Sequence, residues 1–327
     1  MAKSYAKRVS AVLFAGASLL MACFPSRSSA AELKVVVTIR PVHSLVSAVM
    51  DGVGEPRLLI DGNASPHTFT MKPSDAKALH DATVIFRVAE SIEPFTTKLA
   101  KSLPASTRMV TLEAVPGLTR HELRTGAAFE AHSHGREGGR GGHAHRHSHA
   151  SARTGLDGHV WLDPDNAVKI ADHVAETLAQ LAPAHGPRLR ANAASLRTRI
   201  EALTPAIDAQ LRPLAAKRYV VFHDAYQYFE QRFGLSPVGS VTVSPDVSPS
   251  AKRLTELRSR IRDLKAVCVF AEPQFEPKLV ATVVEGMPLR RGVLDPLGAA
   301  IPAGPEQYFG LLRALATDLA TCLADPA

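Results

Sequence analysis

Short β-branched runs alternate with stretches of helical periodicity on both sides of a polar, histidine-rich interruption, and this alternation leaves few architectures open. Strand, helix and strand in repeated succession make parallel sheets joined by crossover helices. Before the interruption, Leu33 to Ile39, Arg57 to Ile60, Thr83 to Val88 and Met109 to Leu112 read as strands. After it, Arg218 to Phe222, Pro237 to Val241, Ala266 to Phe270 and Gly292 to Leu294 do the same. Four and four suggest two similar α/β lobes. Between them Asp163-Pro164 is a good N-cap and N1 pair, followed by Val168, Ala171, Val174, Leu178 and Leu181 at helical spacing. A second helix is expected from about Pro187, with Leu189, Ala193, Leu196, Ile200, Leu203, Ile207 and Leu211 on one stripe. At 1.5 Å per residue, roughly 25 residues span about 37 Å, enough to run the length of two lobes as a stiff connector. Thr204-Pro205 should kink or restart it, because proline removes a ladder donor.

The interruption itself carries six histidines, His132, His134, His143, His145, His147 and His149, spaced by Gly, Ser, Arg and Ala. It is too polar and too rich in glycine to form a core. Neutral imidazoles on such a backbone can gather around zinc, copper or nickel, and each can leave independently, which suits weak capture better than a rigid catalytic site. A plain spacer of unusual composition is the competing reading. Its neighbours Arg136, Arg140 and Arg146 oppose any strong attraction of cations to it.

The first residues read as an export signal, with Lys3, Lys7 and Arg8 before an apolar core of 14 residues from Val9 to Ala22 and small residues at Ser28-Ser29-Ala30. Cleavage is expected before Ala31 or Glu32, and the periplasm is the expected destination. Leu20-Met21-Ala22-Cys23 also passes as a lipoprotein box, so a membrane anchor through Cys23 is the alternative. The segment through Ala31 holds four of the 38 basic residues and no acid, leaving 34 basic against 31 acidic residues. That balance is not one that binds nucleic acid. Beyond the signal only Cys268 and Cys322 remain, and in an oxidising compartment they should bond to each other. Two separately buried thiols are the alternative.

Among the isolated histidines, three sit where ligands belong. In open α/β sheets, ligands bind beyond the carboxyl ends of the strands. His67 lies in Ser65-Pro66-His67-Thr68-Phe69 after one strand, His223 ends Tyr219-Val220-Val221-Phe222, and His159 opens His159-Val160-Trp161-Leu162-Asp163-Pro164. Asp295 ends Val293-Leu294-Asp295 as His223 ends its own strand. His173 and His185 fall at polar helical or turn positions and are expected to be solvated, while His43 suits a structural or supporting place near the cleft.

These residues resemble a known family. Gly62-Asn63-Ala64-Ser65-Pro66-His67-Thr68-Phe69 with Lys72-Pro73-Ser74-Asp75, His159-Val160-Trp161-Leu162, and Val221-Phe222-His223-Asp224-Ala225-Tyr226 are similar to ligand motifs of the metal-binding proteins of bacterial ABC importers, in their ZnuA-like zinc-uptake branch. Glu272-Pro273-Gln274-Phe275 and Leu294-Asp295-Pro296-Leu297-Gly298 resemble its later signatures. The resemblance runs in consistent order from about Lys34 to Cys322. Ala89 and Ser91 depart from it, standing where relatives often carry glycines, and Glu90 between them is either a lip residue of the cleft or a solvated charge.

The resemblance implies two Rossmann-like lobes with parallel sheets, one long rigid helix between them, and a metal site in the interlobe cleft. It implies His67 and His159 as ligands from the first lobe, His223 and Asp295 from the second, and a pairing of Cys268 with Cys322. The expected organisation is a signal over 1–31, a first lobe over 32–183 with the histidine-rich loop at 131–150, a linking helix over 184–212, and a second lobe over 213–327. The expected function is high-affinity capture of Zn2+ outside the cytoplasmic membrane by a monomer that delivers it to an ABC permease and its ATPase. Three imidazoles and a carboxylate suit zinc, whereas manganese favours oxygen donors. An exported zinc buffer or chaperone is one alternative. A secreted zinc hydrolase is another, though no His-Glu-x-x-His helix and no general base paired with a nucleophile supports it.

Overall fold

The computed structural model describes residues 33–124, 129, 155–242, 245 and 249–324. The six tract histidines, the signal segment and Cys23 lie outside these residues. In chain order the first half runs β1 (Val35–Val37), α1 (Arg40–Val49), β2 (Arg57–Leu58), α2 (Pro73–His80), β3 (Val84–Arg87), α3 (Phe95–Ala100) and β4 (Arg108–Thr111). Two long helices follow, α4 (Pro164–Leu181) and α5 (Gly186–Leu211). The second half runs β5 (Arg218–His223), α6 (Gln227–Arg232), β6 (Ser236–Thr242), α7 (Ala251–Asp263), β7 (Cys268–Ala271), α8 (Lys278–Val283), β8 (Arg290–Val293) and α9 (Gln307–Leu323).

Each of the eight expected strands overlaps an observed one, and all strand pairs are parallel. The order is β2-β1-β3-β4 in one sheet and β6-β5-β7-β8 in the other. This is the same winding twice, with the first strand of each half between the second and third. The central strands are accordingly continuous apolar runs, buried on both faces: Val35-Val36-Val37 in one sheet and Tyr219-Val220-Val221-Phe222 in the other. Pro237 is tolerated because β6 is an edge strand.

The helical midsection follows the sequence with one difference. Asp163 caps α4 by accepting from Asp165 N–H at 2.9 Å, and Pro164 follows at the position where a missing donor costs nothing. The helix does not restart at Thr204-Pro205: α5 runs 26 residues through Pro205. The stripe from Leu189 to Leu211 is buried along its length, and that burial holds the helix together where proline removes one bond. Thr204 Oγ1 donates to Ile200 O at 2.9 Å beside it.

The two sheets share one continuous apolar core that runs from Val35 to Leu323 through α1, α4, α5 and α9. The last helix packs on α5 and on α1, and Tyr308 N–H donates to Ser44 Oγ at 2.9 Å across 264 residues of sequence. A separate apolar cluster fills the outer side of the second sheet, under α7 and α8. Behind β7, Cys268 and Cys322 form a disulfide with Cα atoms 6.1 Å apart. Beside it Gly292 makes room for the Phe270 ring, since a Cβ there would stand 2.6 Å from that ring. No helix among the described residues is long and apolar enough to cross a membrane.

Candidate metal centre

The carboxyl ends of both sheets meet at one cleft, and three imidazoles are brought together there. His223 is the last residue of β5; His67 sits in a short 3-10 turn, Pro66–Thr68, beyond β2; His159 precedes another, Val160–Leu162, that leads into α4. One nitrogen from each lies within 4.8 Å of the others. The ring centroids are 5.3 to 5.6 Å apart. His159 and His223 are buried and His67 is half-buried. Trp161, Phe275, Pro66 and Leu297 wall the cleft with apolar surface.

Carboxylates fix how two of the rings present themselves. Asp157 Oδ1 lies 2.7 Å from His159 Nδ1, and the Glu272 oxygens lie 2.7 and 2.8 Å from His223 Nδ1. A carboxylate at Nδ1 selects the tautomer protonated there and leaves the Nε2 lone pair free for a cation. The two Nε2 atoms then face each other at 3.4 Å. Glu272 stands beside His223 because it directly follows β7, and β7 is the neighbour of β5. Asp157 is held in turn, its carbonyl accepting from Tyr228 Oη at 2.7 Å.

Burial divides the protons unequally. It pushes His159 well below the usual imidazole range, and nearby His223 adds to the effect. Burial also acts downward on His223, but the Glu272 carboxylate outweighs it and leaves this ring raised. Asp157 is pushed up to about 7 by burial. Its Oδ2 is buried without a hydrogen-bond partner, while the His159 backbone N–H, Arg124 and His223 pull in the opposite direction. A cation held between the two facing Nε2 atoms would satisfy both rings at once.

Asp295 is not part of the three-imidazole cluster. Its Oδ1 accepts from Gln274 Nε2 at 2.7 Å and Leu297 N–H at 2.9 Å, and its Oδ2 accepts from Ala299 N–H at 2.6 Å. His43 lies away from the cluster, with Nε2 2.9 Å from Pro56 O. Glu90 is exposed and accepts from Thr97 Oγ1 at 2.6 Å. The Ala89 and Ser91 departures meet a glycine from the opposite side: a Cβ on Gly158 would lie 2.7 Å from Ile92, 2.8 Å from Ser91 Oγ and 3.0 Å from Ala89. Gly158 therefore supplies the close approach that brings His159 into the cleft. Sequence reasoning missed Asp157 and Glu272 as orienting groups; the available signals were an acid two residues before a candidate ligand and the place of Glu272 at the head of a family-like motif.

Two parallel α/β sheets with a common winding, a single long helix between them and a buried imidazole cluster at the shared cleft define the metal-binding class of solute-binding proteins. The solved structures agree in fold: "Crystal structure of ZnuA" aligns at a TM-score of 0.70 and 24% identity, over 89% of this chain and 99% of that one. FpvC from Pseudomonas aeruginosa, solved in complex with Mn2+, aligns at 0.73 and 19% over 89% and 98%. The chain belongs to the family of the periplasmic zinc-uptake complex component A (ZnuA), whose model matches residues 35–322. It is 44% identical over 324 residues to the high-affinity zinc uptake system protein ZnuA of Brucella suis, covering 94% of this chain and 97% of that one. The protein of the same name from Yersinia pestis is 35% identical over 300 residues, 90% and 92% of the two chains. This is a family of transport components and not of enzymes.

Proposed function

We propose that this protein captures Zn2+ outside the cytoplasmic membrane with high affinity and hands it to an ABC permease driven by its ATPase. The observation that carries the reading is the convergence of three imidazole nitrogens within 4.8 Å, two of them with Nδ1 pinned by a carboxylate. His67, His159 and His223 are the nitrogen donors, a set that favours zinc over manganese. Asp295 supplies the fourth donor by exchanging its Gln274 hydrogen bond for the cation. The signal over 1–31 sends the chain to the periplasm as a soluble monomer, the lipid anchor at Cys23 being the other route. The lobes at 32–183 and 213–327 flank the linking helix at 184–212, and the tract histidines at 131–150 add weak sites beside the tight one.

Competition against a zinc chelator tests the assignment. His67→Ala, His159→Ala and His223→Ala should each weaken binding far more than His173→Ala or His185→Ala, with Asp295→Ala in between because water can replace one oxygen donor. Equal effects across all six would falsify it.

A further inference from the structure

The two chain segments that flank the histidine-rich stretch pair with each other next to the metal cleft. Glu122 and Leu156 form an antiparallel bridge, Leu123 N–H donates to Gly155 O at 3.0 Å, and Asp157 N–H donates to His121 O at 2.8 Å. The pairing ends at the residue that orients His159. On the incoming segment, Arg124 reaches across to the second half of the molecule. Its Nε donates to the two Asp224 oxygens at 2.9 and 3.1 Å, Nη2 bonds Asp224 Oδ1 as well, and Nη1 lies 2.8 Å from Glu230 Oε2. The other Glu230 oxygen accepts from Tyr219 Oη at 3.0 Å.

Exposure separates this group from an ordinary surface ion pair. The Arg124 side chain is 18% exposed, and those of Asp224 and Glu230 are 6% and 2% exposed. Two buried carboxylates repel each other and pay for their lost hydration unless a cation stands between them. A guanidinium does this with fixed fork geometry, which an ammonium cannot reproduce. Its position adds a second consequence. Asp224 directly follows His223, and Arg124 directly follows the 121–123 segment, which pairs with 155–157 just before His159.

We infer that Arg124 is a positioning residue for the metal cleft: its double ion pair to Asp224 and Glu230 ties the segment carrying His159 to the strand end carrying His223, and so slows the departure of the cation. The inference rests on the reading of the three histidines as zinc ligands. Tyr228 supports the same junction, its Oη donating to Asp157 O at 2.7 Å and accepting from His121 N–H at 3.2 Å, and Trp161 Nε1 donates to Pro296 O at 2.9 Å; removing Arg124 takes away the ion pairs of this junction and should let the two half-sites drift.

The test is stopped-flow release of zinc from the full chain into excess chelator, beside absorption spectra of the cobalt-loaded protein. Arg124→Ala should speed release about tenfold or more, the scale on which groups that orient metal ligands act. Arg124→Lys should recover part of the loss, and Glu230→Gln should fall between wild type and Arg124→Ala. The cobalt bands should shift in Arg124→Ala, because displaced imidazoles change the ligand field, whereas a merely structural arginine would lower the thermal midpoint and leave the bands unmoved. Should the alanine variant fail to accumulate, the lysine and glutamine variants carry the same test. Release rates and cobalt spectra unchanged in the variants that fold would overturn the inference. His223→Ala is the control: retention of tight zinc there sinks the ligand assignment itself, while loss of zinc there with unchanged release in the Arg124 and Glu230 variants sinks only the role of Arg124.

Discussion

Asp157 with His159 and Glu272 with His223 are one chemical device built in two ways. In the first, acid and imidazole are two residues apart, and Asp157 Oδ1 receives both the His159 backbone N–H at 3.0 Å and its ring nitrogen at 2.7 Å. In the second, 49 residues separate the partners, and only the pairing of β5 with β7 makes them neighbours. The proton distribution differs too. The local pair has a carboxyl pushed up to about 7 and an imidazole driven down, while the long-range pair has an imidazole raised by its carboxylate. Burial thus disfavours a proton on one imidazole, and a carboxylate favours it on the other. A local pair secures geometry from the chain itself; a long-range pair reports whether the second sheet is correctly assembled.

Removing either imidazole should have the largest effect. A structural zinc site is worth on the order of 12 kcal/mol, so losing one donor of four should cost roughly 3 kcal/mol, or about a hundredfold in affinity. His159→Ala and His223→Ala should therefore match within a few fold in chelator competition, and a dispensable member of the pair would break the symmetry argued above. The orienting acids come next. Glu272→Gln should weaken zinc by about ten- to a hundredfold, the range for partners that hold a metal's ligands. Asp157→Asn should cost less, because its carboxyl is already partly protonated near neutrality. A larger loss at Asp157 would reverse the comparison.

Proton competition sharpens it further. Zinc and a proton compete for Nε2 of His223, whose raised pKa means that affinity is full above that value and is lost as pH falls through it. The decline should begin above the ordinary imidazole value of about 6.5. His159, pushed down, adds competition only at lower pH. Titrations in Glu272→Gln should show the midpoint displaced to lower pH, because the carboxylate that raises His223 is gone, and an unmoved midpoint would show that another group sets it. The smallest effect on zinc belongs to the disulfide. Reducing Cys268–Cys322 opens a loop spanning 54 residues and should lower stability by on the order of 4 kcal/mol in the chain-entropy view. Zinc affinity of the folded, reduced protein should nevertheless stay the same, since Glu272 is placed by strand pairing and not by the bond behind β7.

Legibility followed range along the chain. The strands were readable because buried parallel strands are continuous apolar runs, and His67, His159 and His223 because each lies at a strand or helix end within a distinctive motif. Asp163 and Pro164 announced α4 by local capping chemistry. What was not readable depends on which strands adjoin. Glu272 reaches His223 through sheet order, and Arg124 reaches Asp224 across 100 residues. The helix does not restart at Pro205 for a related reason: burial of the Leu189 to Leu211 stripe is a tertiary fact that outweighs one missing backbone bond. Asp295 was placed by its strand end and by the resemblance, and neither foretells its hydrogen bonds to Gln274, Leu297 and Ala299.

The packing of α9 on α1 carries a consequence for how the chain reaches this structure. Helix α1 begins at Arg40 and α9 ends at Leu323, yet the two lie side by side in one core, joined by the bond from Tyr308 to Ser44. Contacts between such distant segments form late, because the loop-closure entropy of the whole intervening chain precedes any reward. The first sheet can wind locally, but the apolar face of α1 stays open until the last helix arrives. Nearly the full length must therefore emerge before the fold closes, so the nascent protein remains in an incompletely packed form for as long as its synthesis lasts.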